Sequence, residues 1–182
     1  MAIVFDLWAE CSTEADRASL VDHFSGFQCT LLTGRTISWR AYPTKWLPTG
    51  MIVDSDGLSN SGVKTPQQVL ETTESGLRLY HHLKGGPAFR FARVAWEAEN
   101  VPMMDLKDYV APITPGECRF EVKCVVDDAL YKQLGSPLFC FPFRTGYWWT
   151  GYGGEKYDPL HSADQSELNQ LCRSLFPEYL KY

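Results

Sequence analysis

The chain has no run of Lys and Arg. Its basic residues are dispersed, as Arg35, Arg40 and Lys45 and then Arg90 and Arg93. With a formal net charge of −5 and a pI of about 5.3, the basic face that a nucleic-acid binder presents is missing, and nucleic acid is not an expected ligand. No apolar run approaches the roughly 20 residues of a membrane span, so no membrane association is expected. The apolar start, Ala2–Trp8, is too short for a signal peptide, has no basic beginning and is interrupted by Asp6. The six cysteines (Cys11, Cys29, Cys118, Cys124, Cys140 and Cys172) include no C-x-x-C pair, which excludes a zinc ribbon and a thioredoxin-like motif. Most sit where the apolar pattern wants a small hydrophobe. They are expected to be reduced, mostly buried thiols in a cytoplasmic protein.

Catalytic and cofactor motifs are missing too. There is no P-loop, no G-x-G-x-x-G between a strand and a helix, no H-E-x-x-H and no G-x-S-x-G. Asp54-x-Asp56-Gly57 opens like a calcium loop but lacks the third ligand before the glycine and the closing Glu. His81 and His82 are adjacent on a helix, so their side chains diverge by about 100° and do not readily share a metal. Cys140 with Asp158 and His161 is the nearest approach to a triad, but a thiol between Phe139 and Phe141 suits burial better than nucleophilic work. No catalytic residue, cofactor or metal is therefore expected.

What the chain does have is a hydrophobic content of 45% over 182 residues, enough for one domain spanning 1–182 with a sizeable core. It is organised around Leu138–Tyr157, where eight of twenty residues are aromatic: Phe139, Phe141, Phe143, Tyr147, Trp148, Trp149, Tyr152 and Tyr157. Arg144-Thr145-Gly146 reads as a hairpin turn with glycine at a positive φ. Pro142 cannot donate to a ladder, which places its strand at an edge or a bulge. Trp148 and Trp149, as strand neighbours, must face opposite sides. Eight rings exceed what one face of a hairpin can bury, so part of the set is expected to be core and part surface.

The rest follows in order. Ala2–Ala9 is a mostly apolar, central strand. Ser12 or Thr13 caps a helix, with Asp16 three residues after Thr13 as in a capping box, and Gly26 ends it. Phe27–Leu32 and Thr36–Tyr42 form a first hairpin, and Met51–Val53 a short strand. Thr65-Pro66-Gln67-Gln68 is a strong helix start, followed by Val69, Leu70, Thr73, Leu77, Tyr80 and Leu83 at helical spacing. Phe89–Ala98 is a strand whose apolar phase slips, as a bulge near Ala92 would cause. Asn100–Gly116 is irregular but apolar enough to be held against the core. Arg119–Val126 alternates, with Phe120, Val122, Cys124 and Val126 inward. Asp127 caps a short helix, and Ser162-x-x-Gln165 opens a last one with Leu168, Leu171, Cys172, Leu175 and Phe176 on one face.

These elements predict an α+β fold: a mostly antiparallel sheet with helices largely on one face, in ferredoxin-like βαββαβ order through the first half and extended by further strands and a C-terminal helix. Such a fold does not define a function, and three readings stand. The first is a non-enzymatic domain that binds another protein, as an inhibitor or immunity-type protein masking a basic partner would. Its contact residues are Arg144, Tyr147, Trp148, Trp149 and Tyr152, types enriched at binding hot spots. The second is a small-ligand-binding protein or enzyme with a pocket beside the hairpin 138–157. The third is a structural or assembly subunit whose hairpin edge pairs with a second copy to give a homo-oligomer.

Overall fold

β1 (Phe5–Glu10) is buried along its whole length, which an isolated two-sided strand in water could not be. The computed structural model describes residues 4–58, 62–158, 161–162 and 165–177. Within them β1 is followed by α1 (Glu14–Phe24), a small hairpin of β2 (Gln28–Thr30) and β3 (Thr36–Ser38), then β4 (Arg40–Pro43), β5 (Gly50–Asp54), α2 (Pro66–Lys84) and β6 (Phe91–Trp96). Two 3-10 helices (Ala98–Asn100 and Met103–Tyr109) lead to β7 (Val110–Thr114), β8 (Glu117–Phe120), β9 (Val125–Asp127), α3 (Asp128–Gln133), β10 (Phe141–Arg144) and β11 (Tyr147–Trp149). The chain continues through β12 (Lys156–Asp158) and β13 (His161–Ser162) to α4 (Gln165–Leu175). The molecule is α+β. Seven strands form one antiparallel sheet in the order β10-β11-β9-β6-β1-β5-β4, with β1 near the middle.

Alternation along the strands divides the core in two. Phe5, Leu7 and Ala9 point to the face covered by α1, α2 and α4, where they meet Leu20, Phe24, Leu77, Tyr80, Leu171 and Phe176. Trp8 points the other way, with Phe91, Cys124 and Val126, under Leu106 and the Leu130 of α3. Trp46 stacks flat on Trp8, ring centroids 5.1 Å apart. The three longer helices thus share one face, and the second is covered by short helices and loops.

The helix starts are the expected ones. Thr13 accepts the Asp16 N–H at 3.1 Å, Thr65 accepts that of Gln68 at 3.2 Å, and Asp127 accepts that of Leu130 at 2.6 Å. Each side chain satisfies an amide that has no partner within its helix.

Four sequence expectations need correction. The strands that join β1 in the main sheet before α2 are β4 and β5, while Phe27–Leu32 and Thr36–Ser38 contribute a separate two-stranded ribbon. β6 has no bulge: it pairs with β1 continuously from Phe91 to Trp96. Its apolar residues change phase because both faces of the sheet are covered, Phe91 entering one core and Val94 the other. Arg119–Val126 is interrupted, since β8 pairs with β7 and only β9 joins the large sheet. Finally, the stretch after residue 97 is ordered by two buried acids. Asp6 accepts the N–H of Ala98 at 3.0 Å, and Glu10 accepts that of Met103 at 2.5 Å. Each acid therefore anchors the first residue of a 3-10 helix by accepting an N–H that has no partner within that helix.

Candidate functional site

The five residues expected to form a binding surface occupy three different environments. Arg144 lies at the end of β10, the sheet's edge strand. Its guanidinium donates to the carbonyls of Lys84 (3.2 Å), Gly86 and Pro87 (2.8 Å) and lies over the rings of Tyr147 and Phe89 at 4.2 and 5.1 Å. The Tyr147 hydroxyl accepts the Phe89 N–H at 3.0 Å and donates to its carbonyl at 2.9 Å. These two side chains hold the connection from α2 to β6. Trp149 is 2% exposed among Tyr80, Phe143 and Phe176. Tyr152 leans on Tyr80 and donates to Glu155 at 2.8 Å. Trp148 points to the opposite face of the sheet, stacked on Tyr131 at 4.5 Å, with its indole N–H donated to Asp128 at 3.1 Å. Trp148 and Trp149 do face opposite sides, and each meets a covered core. Arg144 and Tyr147 are brought together; Trp148 is separated from the other four.

Among the described residues of this region, the exposed large apolar side chains lie in the segment leading into the hairpin. Phe139 is 69% exposed and Leu138 40%. Two non-glycine residues here, Ser136 and Phe139, have left-handed backbone, φ 54 and 62. Such conformations cost of order 1–3 kcal/mol each and persist only where surrounding structure imposes them. The constraint is visible. The Leu138 N–H donates to the Cys118 carbonyl at 2.6 Å, Leu138 bridges Arg119 in parallel, and the Tyr131 hydroxyl donates to the Pro137 carbonyl at 3.2 Å. Leu138 and Phe139 stand at the wall of a cleft of about 560 Å³. Phe141 and Thr150 line it from the hairpin, Arg119, Glu121 and Lys123 from the facing segment. The cleft therefore combines exposed aromatic and aliphatic surface with two cations and one anion.

Alternation along Arg119–Val126, with Phe120, Val122, Cys124 and Val126 inward, leaves Arg119, Glu121 and Lys123 outward but assigns them no role, and in the sequence Phe139 is one ring of the cluster. Composition has no signal for a left-handed phenylalanine. That is a property of the turn chemistry around Gly135-Ser136-Pro137 and of the tie to Cys118.

Two other sets bear on chemistry. Burial, and then the neighbouring Cys118, push the Cys140 thiol up to about 12, so it remains protonated at neutral pH and is a poor nucleophile. The side chains of Asp158 and His161 lie outside the described residues. Asp54 and Asp56 are both engaged by Arg40: Asp54 accepts its Nε and Nη2 at 3.0 and 2.9 Å, and Asp56 accepts Nη2 at 2.9 Å. Tyr42 donates a further bond to Asp54 at 2.5 Å. His82 stacks on His23 and Phe27, whereas His81 meets Phe176 edge-on. Among the described residues, no cluster of His, Cys, Asp and Glu has the arrangement of a metal site, and no helix is long and apolar enough to cross a membrane.

The fold and the cleft together define an α+β domain with an exposed, conformationally constrained apolar loop. No family model, curated protein or solved structure matches the chain.

Proposed function

We propose that this chain is a non-enzymatic protein-binding domain that docks its partner on Leu138 and Phe139 and the adjoining cleft. The observation that carries the reading is Phe139. It is a large aromatic side chain, 69% exposed, on a backbone with φ 62. Packing inside the domain gives it little return for that conformation. Held outward in advance, it loses less freedom on binding than a mobile ring would, which is how aromatic anchors at interfaces gain affinity. Within the hairpin, Arg144 and Tyr147 support the edge strand that follows the loop. The formal net charge of −5 favours a basic partner, as for an inhibitor or immunity-type protein, through long-range attraction; that attraction comes from the rest of the chain, since the cleft itself sets Arg119 and Lys123 against Glu121.

The test uses Phe139→Gly. Glycine accepts a positive φ without penalty, so the variant should melt at or above the wild-type temperature. Affinity capture from the native host, followed by titration with the purified captured protein, should show binding weakened at least about tenfold. Unchanged affinity would remove the loop from the interface. Sizing of the purified chain checks the assembly reading: a dimer lost on shortening β10 would place the function in self-pairing at the sheet edge.

A further inference from the structure

The sheet opens where β9 leaves β6. These strands pair only at Phe91 with Val126 and Ala92 with Val125, whereas β6 stays paired with β1 as far as Trp96. At the next step a side chain replaces the missing strand, the buried Tyr80 hydroxyl accepting the Val94 N–H at 3.0 Å. The open stretch is a slot of about 500 Å³, lined by Arg93 and Trp96 of β6, by Lys123, and by Gly153, Gly154 and Glu155 after the hairpin.

The charges in this slot are unequal in their engagement. Arg93 projects from a central strand and is half-buried. Among the described residues neither it nor Lys123 has a hydrogen-bond or ion-pair partner. Burial pushes the fully enclosed Tyr80 and Cys124 groups up, and the Arg93 charge opposes that shift in both, so the guanidinium acts on the interior. Glu155, by contrast, is committed to the wall. Its carboxylate accepts the Trp96 indole N–H at 2.9 Å and the Tyr152 hydroxyl at 2.8 Å, and its own N–H donates to Thr73 at 2.9 Å. Glu121 is exposed at the rim. A half-buried guanidinium with no partner among the described residues keeps its donors free for a ligand. Gly153 adds a second sign of an open site: a Cβ there would meet nothing within 4 Å, so nothing in the packing calls for glycine, and its absent side chain leaves backbone within reach of a ligand.

We infer that this slot binds a small organic oxyanion, a carboxylate or a phosphate, with the Arg93 guanidinium as its primary partner and Lys123 as the second positive charge. The planar fork of Arg matches the two oxygens of either group. The inference does not rest on Leu138 and Phe139, which line the neighbouring cleft; Glu121 and Lys123 border both.

The test titrates the full chain with inorganic phosphate and, separately, with citrate, reading heat and the amide resonances of Gly153 and Gly154. Saturable binding by at least one anion below about 10 mM is expected, and the tighter arm identifies the group. Arg93→Gln should weaken it at least about tenfold while melting at or above wild type, because no internal bond is lost. Lys107→Gln, at an exposed cation that lines neither the slot nor the cleft, should leave the binding unchanged. No saturable binding by either anion overturns the inference. So does binding that survives Arg93→Gln, or that falls equally in both variants, since the latter is a response to net charge alone.

Discussion

Arg144 looks in sequence like a residue for a partner and acts in the structure as a clamp. Its three carbonyl acceptors, on Lys84, Gly86 and Pro87, lie at the C-terminal end of α2, where cations are favoured. Replacing Arg144 by Ala leaves those groups without their charged donor and removes the cover from Tyr147 and Phe89. The expected loss is about 2–4 kcal/mol, on the scale of a few charge-assisted bonds that do not add fully. A denaturant midpoint within error of wild type would contradict the clamp. Arg144→Lys should recover little, since one ammonium cannot reach three carbonyls in a fixed fork. Trp, Tyr and Arg are enriched at interfaces because they combine large area with polar ends. The same attributes let Trp148 reach Asp128 and Tyr147 reach Phe89, so residue type at these positions did not separate core from surface. Backbone dihedrals did, at Phe139, and those are not written in composition.

At the scale of elements, much was legible. The caps at Thr13, Thr65 and Asp127, the edge position of the Pro142 strand and the division of Trp148 from Trp149 all follow from local chemistry or from the period of a strand. Pairing partners did not. Thr36–Tyr42 is one apolar-alternating run in sequence, yet the structure breaks it after Ser38 and assigns the pieces to different sheets. Alternation predicts a face and says little about a neighbour. Tertiary crossing is equally hidden. Gly76 sits inside α2, where glycine ordinarily costs about 0.5–1 kcal/mol relative to Ala. A Cβ there would lie 2.6 Å from the Tyr152 ring, so the glycine is what lets residues 151–155 cross the helix. Gly76→Ala should therefore destabilise, by about 1–3 kcal/mol of overpacking, despite its better helix propensity; a raised melting temperature would show that Tyr152 can move aside. On α4, Leu171 faces the core with 8% exposure. Leu171→Ala should cost about 2–5 kcal/mol through the cavity it leaves, measured as a shift in denaturant midpoint. An unchanged midpoint would make α4 peripheral.

The whole molecule buries both faces of its sheet, and it does so with ionisable groups inside. Asp6, 2% exposed, is raised by burial, and then by neighbouring Glu99, from 3.8 to about 8. His82, between His23 and Phe27, is lowered from 6.5, first by its burial. The two act oppositely on stability. An acid whose folded pKa is raised holds its proton more firmly when folded, so its contribution is full below pH 3.8 and declines as pH rises toward about 8. A base whose folded pKa is lowered resists protonation when folded, so stability is lost as pH falls below 6.5. Each effect has a slope of up to about 1.4 kcal/mol per pH unit inside its window. Just below pH 6.5 they offset one another, and wild-type stability should change little there. Between pH 6.5 and about 8 the histidine effect is complete while Asp6 still titrates, and stability should decline before levelling. Asp6→Asn keeps an oxygen to accept the Ala98 N–H and cannot ionise. Its profile should decline less than that of wild type above pH 6.5 and fall more steeply as pH drops below it, where the histidine effect has lost the opposition of Asp6. Glu10, also raised by burial, reinforces the behaviour of Asp6, and His81, lowered by burial, reinforces that of His82. Neither reverses a sign. Denaturant midpoints across this range for the two proteins decide the matter. Parallel curves would mean that Asp6 is ionised in the folded protein and that its tie to the first 3-10 helix is made by a carboxylate.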